Sequence, residues 1–196
     1  MNNSFYSKEE LIGLGFCEIG SNVLISKKAS IYNASKISIG NNVRIDDFCI
    51  LSGTISIGNF IHIAAYSALY GGECGIEIND YSNISSKNSI YAISDDYSGM
   101  SMTNPMIPDK YKKIYGEKVV FEKHVIIGSS CVVLPGVVLG EGSSFGAMSL
   151  INKSSEPWTI NAGIPFRKIK DRSKEILKLE EQFIKEVGEK CVNQSK

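Results

Sequence analysis

FEKHVIIGSSCVVLPGVVLGEGSSFGAMSLI, residues 121–151, decides the fold. Phe121, Ile127, Val133, Leu139, Phe145 and Ile151 put a large apolar side chain at every sixth position. Two places before each stands Val119, Val125, Cys131, Val137, Ser143 or Ser149, small or β-branched in every case. An amphipathic helix repeats near 3.6 residues and a half-buried strand alternates at two, so a period of six fits neither. It fits a chain that turns a corner every six residues and points the same two side chains inward on each flat face. A single unit cannot bury its apolar side, but units stacked at the strand spacing of roughly 4.8 Å can. The stretch therefore predicts an all-β fold, a parallel β-helix. In Ile127-Gly128, Leu139-Gly140 and Phe145-Gly146 a glycine directly follows the inward residue, which predicts a close approach between coils or an unusual φ there.

Upstream the same grid holds, with Ile39, Ile45, Leu51, Ile57, Ile63 and Leu69 in the large phase and Ile37, Val43, Cys49, Ile55, Ile61 and Ser67 in the small one. Before it, from Val23 to Ile37, the repeat is ragged: Ile25 and Ile31 take the small-residue phase while Lys27 and Asn33 occupy the other, which predicts an irregular first coil. After it, Gly71-Gly72-Glu73-Cys74-Gly75 shifts the grid to Ile78, Ile84 and Ile90, so three residues have been inserted at a corner. From Ser94 to Lys118 the period vanishes, and a loop of this length in a compact domain points to function. Ser7-Lys8-Glu9-Glu10 has capping-box spacing and predicts a short helix that plugs the open end of the coil, stopping near Gly13 or Gly15. Asn161 to Pro165 ends the coil. Ser173 then starts a final helix with Ile176, Leu179, Phe183 and Val187 on one face, closed by Gly188.

Composition bounds the function classes. The chain has 196 residues and 43 % apolar content, enough for one soluble domain with a substantial core. Lys plus Arg and Asp plus Glu both number 21, so no general attraction to nucleic acid or an anionic membrane is expected. Without a secretory leader pattern or an apolar run approaching about 18 residues, a cytoplasmic protein is expected. Cys17, Cys49, Cys74, Cys131 and Cys191 are odd in number and lack metal-ligand spacing, so neither a disulfide framework nor a metal site is expected. Cys49 and Cys131 fall in small inward slots and belong to the core.

The six-residue repeat resembles that of the hexapeptide-repeat acyltransferases. The resemblance spans about residues 37–169 and implies a left-handed parallel β-helix of triangular section, here with an inserted loop and a C-terminal α-helix. Gly163-Ile164-Pro165-Phe166-Arg167-Lys168-Ile169 resembles the family's terminal signature, and with the coils from Val125 to Ile151 it looks like the acetyl-CoA-binding end of the sugar acetyltransferases. By that resemblance backbone at Gly128, Gly146 and Ala147 lines the pantetheine arm, and Arg167 and Lys168 meet the cofactor's phosphates, as cations suit exposed phosphate. It also implies a homotrimer with active sites between subunits, which would cover the outward apolar residues Tyr66, Leu134 and Val138. The organisation expected is one domain, 1–196: an N-terminal cap and irregular first coil (1–36), β-helix (37–93), inserted loop (94–118), β-helix and cofactor-binding end (119–169), then helix and tail (170–196).

Only two histidines exist, and strand alternation turns both His62 and His124 out from the prism. The chain departs from the galactoside and maltose acetyltransferases at the turn before the excursion, where those relatives carry their catalytic histidine and this sequence has Asp95 and Asp96. A hydroxyl acceptor needs a base to become a nucleophile, whereas a neutral amine already carries its lone pair and needs positioning and later proton removal. The reading is an acetyl-CoA-dependent N-acetyltransferase for a nucleotide-linked amino-deoxysugar of surface polysaccharide (O-antigen) synthesis. N-acetylation of GDP-perosamine is the nearest named activity. Asp95, Asp96 or His62 would do the proton work, backbone N–H groups would stabilise the oxyanion, and the 94–118 loop would shape the sugar site. The alternatives are a sugar O-acetyltransferase, with His62 as base, and a non-catalytic β-helical scaffold. A β-helical zinc hydratase would need three histidine ligands, which this chain cannot supply.

Overall fold

The computed structural model describes residues 4–194. The chain winds into a parallel β-solenoid of about seven turns, with short strands on three faces. On the first face Ser38, Ser56, Glu77, Val120 and Val138 stack in register; on the second Leu24, Arg44, His62, Asn83, Ile126, Ser144 and Ile160; on the third Ser30, Ile50, Ala68, Ser89, Val132 and Leu150. The residues flanking these point inward. Phe121, Ile127, Val133, Leu139 and Ile151 are all fully buried, as are Cys49, Ser67, Cys131 and Ser143 in the small slots. Burial pushes the Cys49 thiol up to about 11, which leaves it an inert core group.

The corners carry the conformational load. Asn42, Phe48, Phe60, Tyr66, Tyr81, Lys87, His124, Ser130, Gly142 and Met148 sit one place before the small inward residue, with φ of 56° to 63°. An L-residue in this left-handed region costs roughly 1–2 kcal/mol. Stacking offsets part of that, since the rings at this position fall over one another: Phe60 on Tyr81 at 5.1 Å, Tyr81 on His124 at 5.2 Å, Phe48 on Tyr66 at 4.9 Å. Tyr66 thus finds a partner inside its own prism. Gly128, Gly140 and Gly146 are absent from the positive-φ residues, and what Gly128 answers is close approach: a β-carbon there would stand 2.5 Å from the Ala147 nitrogen.

The first coil is more regular than its sequence suggests. Ile25 pairs with Ile45 and Ile31 with Leu51, both in the large-residue phase. Two extra residues at the 3-10 turn Ala34–Lys36 shift the spacing from 18 to 20 and mislead a strict six-residue count. Ile57 pairs with Ile78, which places the three-residue insertion at Gly71–Gly75. Helix α1, Lys8–Gly13, has the full capping box, and its buried Leu11 joins the core at the open end of the coil. At the other end the strand Thr159–Gly163 turns back into Phe166–Asp171, an antiparallel hairpin on the second face.

Helix α2, Glu175–Gln194, begins where the Ser173 hydroxyl accepts the Glu175 N–H. It runs on through Gly188, contrary to expectation, because an interior glycine costs only about 1 kcal/mol against alanine and Glu189 and Lys190 favour helix. The side chains of Val187 and Cys191 lie outside the described residues. Among the described residues no helix is long and apolar enough to cross a membrane.

Candidate functional site

Two edges of the prism differ from the third in composition. Along the edge between the second and third faces stand Ala64-Ala65, Ser85-Ser86, Gly128-Ser129 and Gly146-Ala147, a column of residues too small to cover the backbone. Coil-to-coil hydrogen bonds hold it: the Gly128 N–H donates to Phe145 O and the Gly146 N–H to Asn161 O, both at 2.8 Å. Ala162 follows Asn161 and pairs across the terminal hairpin with Arg167. Gly128, Gly146, Ala147 and Arg167 are therefore brought to one strip near the end of the solenoid. Arg167 is exposed and has no ion-pair partner among the described residues, whereas Lys168 is tied to Glu156 at 3.0 Å and Asp171 at 2.9 Å. The strip offers bare backbone for a slender acyl-carrying arm and a free guanidinium for a phosphate at its end.

The edge between the third and first faces carries the excursion. Its base is a two-stranded ribbon in which Ile93, Ser94 and Asp95 pair with Gly116, Tyr115 and Ile114. Between the ribbon and the third face lies a cavity of about 1030 Å³, walled by Tyr70, Tyr91, Tyr97, Ile114 and Tyr115 and reached by Asp95. Val132 and Leu134 form its floor, so Leu134 has a place in this cavity. The Asp95 carboxylate has no hydrogen-bond or ion-pair partner among the described residues. Asp96 is different. Its carboxylate accepts from the Ser98 N–H and the Ser101 hydroxyl, both at 2.8 Å, and hydrogen bonds from Ser98 and Ser101 hold its pKa down to about 2. It closes a turn of its own loop and stays ionised, which makes it a poor proton acceptor.

The histidines lie elsewhere. His62 does point outward, on the second face, and its Nε2 is 2.8 Å from Asp46 Oδ2, whose other oxygen accepts from Arg44 at 2.7 Å. Burial raises the Asp46 carboxyl, but the hydrogen bonds from His62 and Arg44 outweigh it and leave the pKa below its ordinary value. His62 is not among the cavity residues. His124 is not a surface residue, as its sequence position implied: helix α2 covers it, its side chain is 1 % exposed, and Nε2 meets Glu180 Oε2 at 2.8 Å. Of the sequence candidates, then, the structure gathers Gly128, Gly146, Ala147 and Arg167 on one strip, leaves Lys168 beside Arg167 in ion pairs, and puts Asp95 in a cavity on the far side of the third face. The tyrosines of that cavity were missed, although Tyr70 and Tyr91 directly follow inward Leu69 and Ile90 and so point outward together on successive coils; their rings stack at 5.1 Å.

A dTDP-4-amino-4,6-dideoxy-D-glucose acyltransferase of Escherichia coli is 47 % identical over 183 residues, covering 92 % of this chain and 95 % of that one. The chain belongs to the hexapeptide-repeat sugar acyltransferases. No protein-family model matches it. Among solved structures, AntD, an N-acyltransferase from Bacillus cereus in complex with dTDP and 3-hydroxybutyryl-CoA, superposes with a TM-score of 0.93 at 56 % identity, covering 95 % of this chain and 99 % of that one. A galactoside acetyltransferase in complex with coenzyme A shares the fold at 22 % identity, with a TM-score of 0.57 over 86 % of this chain and 71 % of that one. Both of the more similar sugar acyltransferases are described with dTDP, whereas the sequence alone suggested GDP-perosamine.

Proposed function

We propose that this acyltransferase moves an acyl group from a CoA thioester, acetyl-CoA in the first instance, to the amino nitrogen of a dTDP-linked 4-amino-4,6-dideoxyhexose. The observation that carries the reading is Asp95: an unpaired carboxylate in an aromatic cavity that no imidazole lines. The supporting relatives are an E. coli acyltransferase named for that dTDP-sugar and the B. cereus N-acyltransferase crystallised with it and coenzyme A. The amine attacks the thioester carbon, the carbonyl oxygen takes the charge in the tetrahedral intermediate, and the carbon–sulfur bond then breaks. Asp95 orients the amine and takes the proton it sheds, and the leaving thiolate ends protonated as the free thiol. Backbone N–H groups along the strip that the coil-to-coil bonds leave free stabilise the oxyanion. Arg167 holds a donor phosphate, with Lys168 second to it because it already has two acid partners.

The strip and the cavity lie on different edges of one prism, so a complete site takes the strip of one subunit and the cavity of the next, as in a homotrimer. Exposed Val138 fits a buried position in such an assembly. A nucleotide-sugar acceptor fits an enzyme of the cytoplasm that acts in surface polysaccharide synthesis. The test is incubation with acetyl-CoA and dTDP-4-amino-4,6-dideoxyglucose, GDP-perosamine and the matching 4-hydroxy sugar. Product mass and NMR should show acylation at nitrogen of the dTDP-amino sugar. Acylation at oxygen, or preference for the hydroxy sugar, would overturn the reading, and a monomer by light scattering would remove the shared site.

A further inference from the structure

Three departures from the six-residue period fall at the same edge, between the third and first faces: Ala34–Lys36, Gly71–Gly75 and the excursion after Tyr91. They are linked along that edge. Lys36 Nζ reaches Glu73 Oε1 and Oε2 at 2.7 and 2.8 Å, joining the first departure to the second. The second meets the base of the excursion at two points. Gly72, with φ of 53°, lies so close to Ile93 that a β-carbon on it would stand 2.3 Å from the Ile93 Cγ2. A β-carbon on Gly116 would stand 2.7 Å from the Cys74 sulfur. The ribbon strands carrying Asp95 and Tyr115 thus rest on Gly72 and Cys74 of the inserted segment. Backbone bonds finish the seat: the Ala92 N–H donates to Tyr70 O and the Glu117 N–H to Ala92 O, both at 2.9 Å. Tyr115 is steadied further by its hydroxyl, which donates to Glu117.

We infer that Gly72 and Cys74 are positioning residues for the acyl acceptor: the three-residue insertion is the shelf that sets where Asp95 and Tyr115 stand in the cavity. This rests on the proposed function. The physical reason is that a reacting group misplaced by about 1 Å can cost on the order of 100-fold in rate, and a ribbon at the root of a 25-residue departure from the coil has few other supports.

The test is a double-mutant cycle at the Cys74–Gly116 contact, read in kinetics and in amide exchange. Gly116 does not have positive φ, so Gly116→Ala acts through its methyl group alone, and Cys74→Ala removes the atom that methyl would strike. Gly116→Ala should lower turnover of the amino sugar at least 10-fold with the KM for the thioester unchanged. Exchange over residues 93–118 should speed up while the melting temperature stays near that of wild type. Cys74→Ala alone withdraws the sulfur on which the ribbon rests and should lower turnover about threefold or more, and Cys74→Ala with Gly116→Ala should return to within threefold of wild type, since the swap roughly conserves volume. Wild-type turnover and exchange in Gly116→Ala would overturn the inference, as would a folded double mutant no better than the single. If the wild type turns over no amino sugar, the proposed function fails, and exchange alone still decides the shelf: faster in the single mutant and restored in the double supports it, any other pattern refutes it.

Discussion

Replacing Asp95 with asparagine keeps the shape of the side chain and removes its charge and basicity. The carboxylate has no partner among the described residues, so the change should leave the fold and the melting temperature where they are. On the proposed function it removes the group that holds the incoming amine and takes its proton, and general base catalysis is worth roughly 100- to 10,000-fold, or about 3–5 kcal/mol of transition-state stabilisation. Asp95→Asn should therefore lower kcat by about 100-fold or more while thioester binding, followed by calorimetry, is unchanged. The internal control is its neighbour. Asp96→Asn keeps an oxygen that accepts from the Ser98 N–H, and a carboxyl held at about 2 does not titrate in the assay range, so a loss of less than about threefold is expected. His62→Ala, on another face and tied to Asp46, should likewise stay within about threefold. If Asp95→Asn stays near wild type while either control falls 100-fold, the cavity has been assigned the wrong base.

Other consequences are simpler to check. Arg167→Ala should raise the KM for the CoA thioester by about 10- to 100-fold, from loss of a charge-assisted contact of about 1.5–3 kcal/mol, and Lys168→Ala should raise it less; equal effects would refute the distinction between a free and an engaged cation. Gly128→Ala drives a methyl into the Ala147 backbone and should cost about 1–3 kcal/mol in denaturant unfolding with a matching loss of thioester affinity. Glu180→Gln should lower stability at neutral pH and hardly at all in acid. Burial raises that carboxyl, but hydrogen bonds from Lys123 and His124 outweigh it and leave the pKa below 4.5, so its contribution is present above that value and lost as pH falls through the lowered one. A wild-type-minus-mutant melting difference that grows on acidification would contradict this.

How much was legible before the structure depended on whether a position's side chain had to satisfy a narrow requirement. Inward slots admit only an apolar or small residue of the right size, so Phe121 to Ile151 could be read directly, as could the three-residue step at Gly71–Gly75. The left-handed corners could not. Phe, Tyr, Lys, His, Ser and Met all occupy that place, because it faces outward and the turn, not the side chain, demands the φ. The first coil reads as irregular for another reason: two added residues put Lys27 and Asn33 in the large-residue phase of a strict count, and only pairing with Ile45 and Leu51 restores Ile25 and Ile31 to it. Burial of His124 leaves no trace in the local sequence, because the helix that covers it comes about 50 residues later. Asp95 and Asp96 were adjacent carboxylates in one string, and separating them required knowing which one its own loop had captured.

The breaks in the period are as informative as the period. Shifting a strand by one residue turns its inward set outward, so a face tolerates no odd insertion and length changes are confined to corners. The corner between Leu51 and Ile57 keeps its normal length although the corner below it gains two residues, so an addition does not force one on the next coil. The additions at Ala34–Lys36, Gly71–Gly75 and after Tyr91 nevertheless share one edge, joined by Lys36 to Glu73 and by Gly72 to Ile93. The edge between the second and third faces, where Gly128 and Gly146 run, keeps its six-residue rhythm and its small residues, which on the proposed function gives an extended arm an even floor. On the proposed function, the regular edge serves the acyl donor and the irregular edge shapes the acceptor cavity.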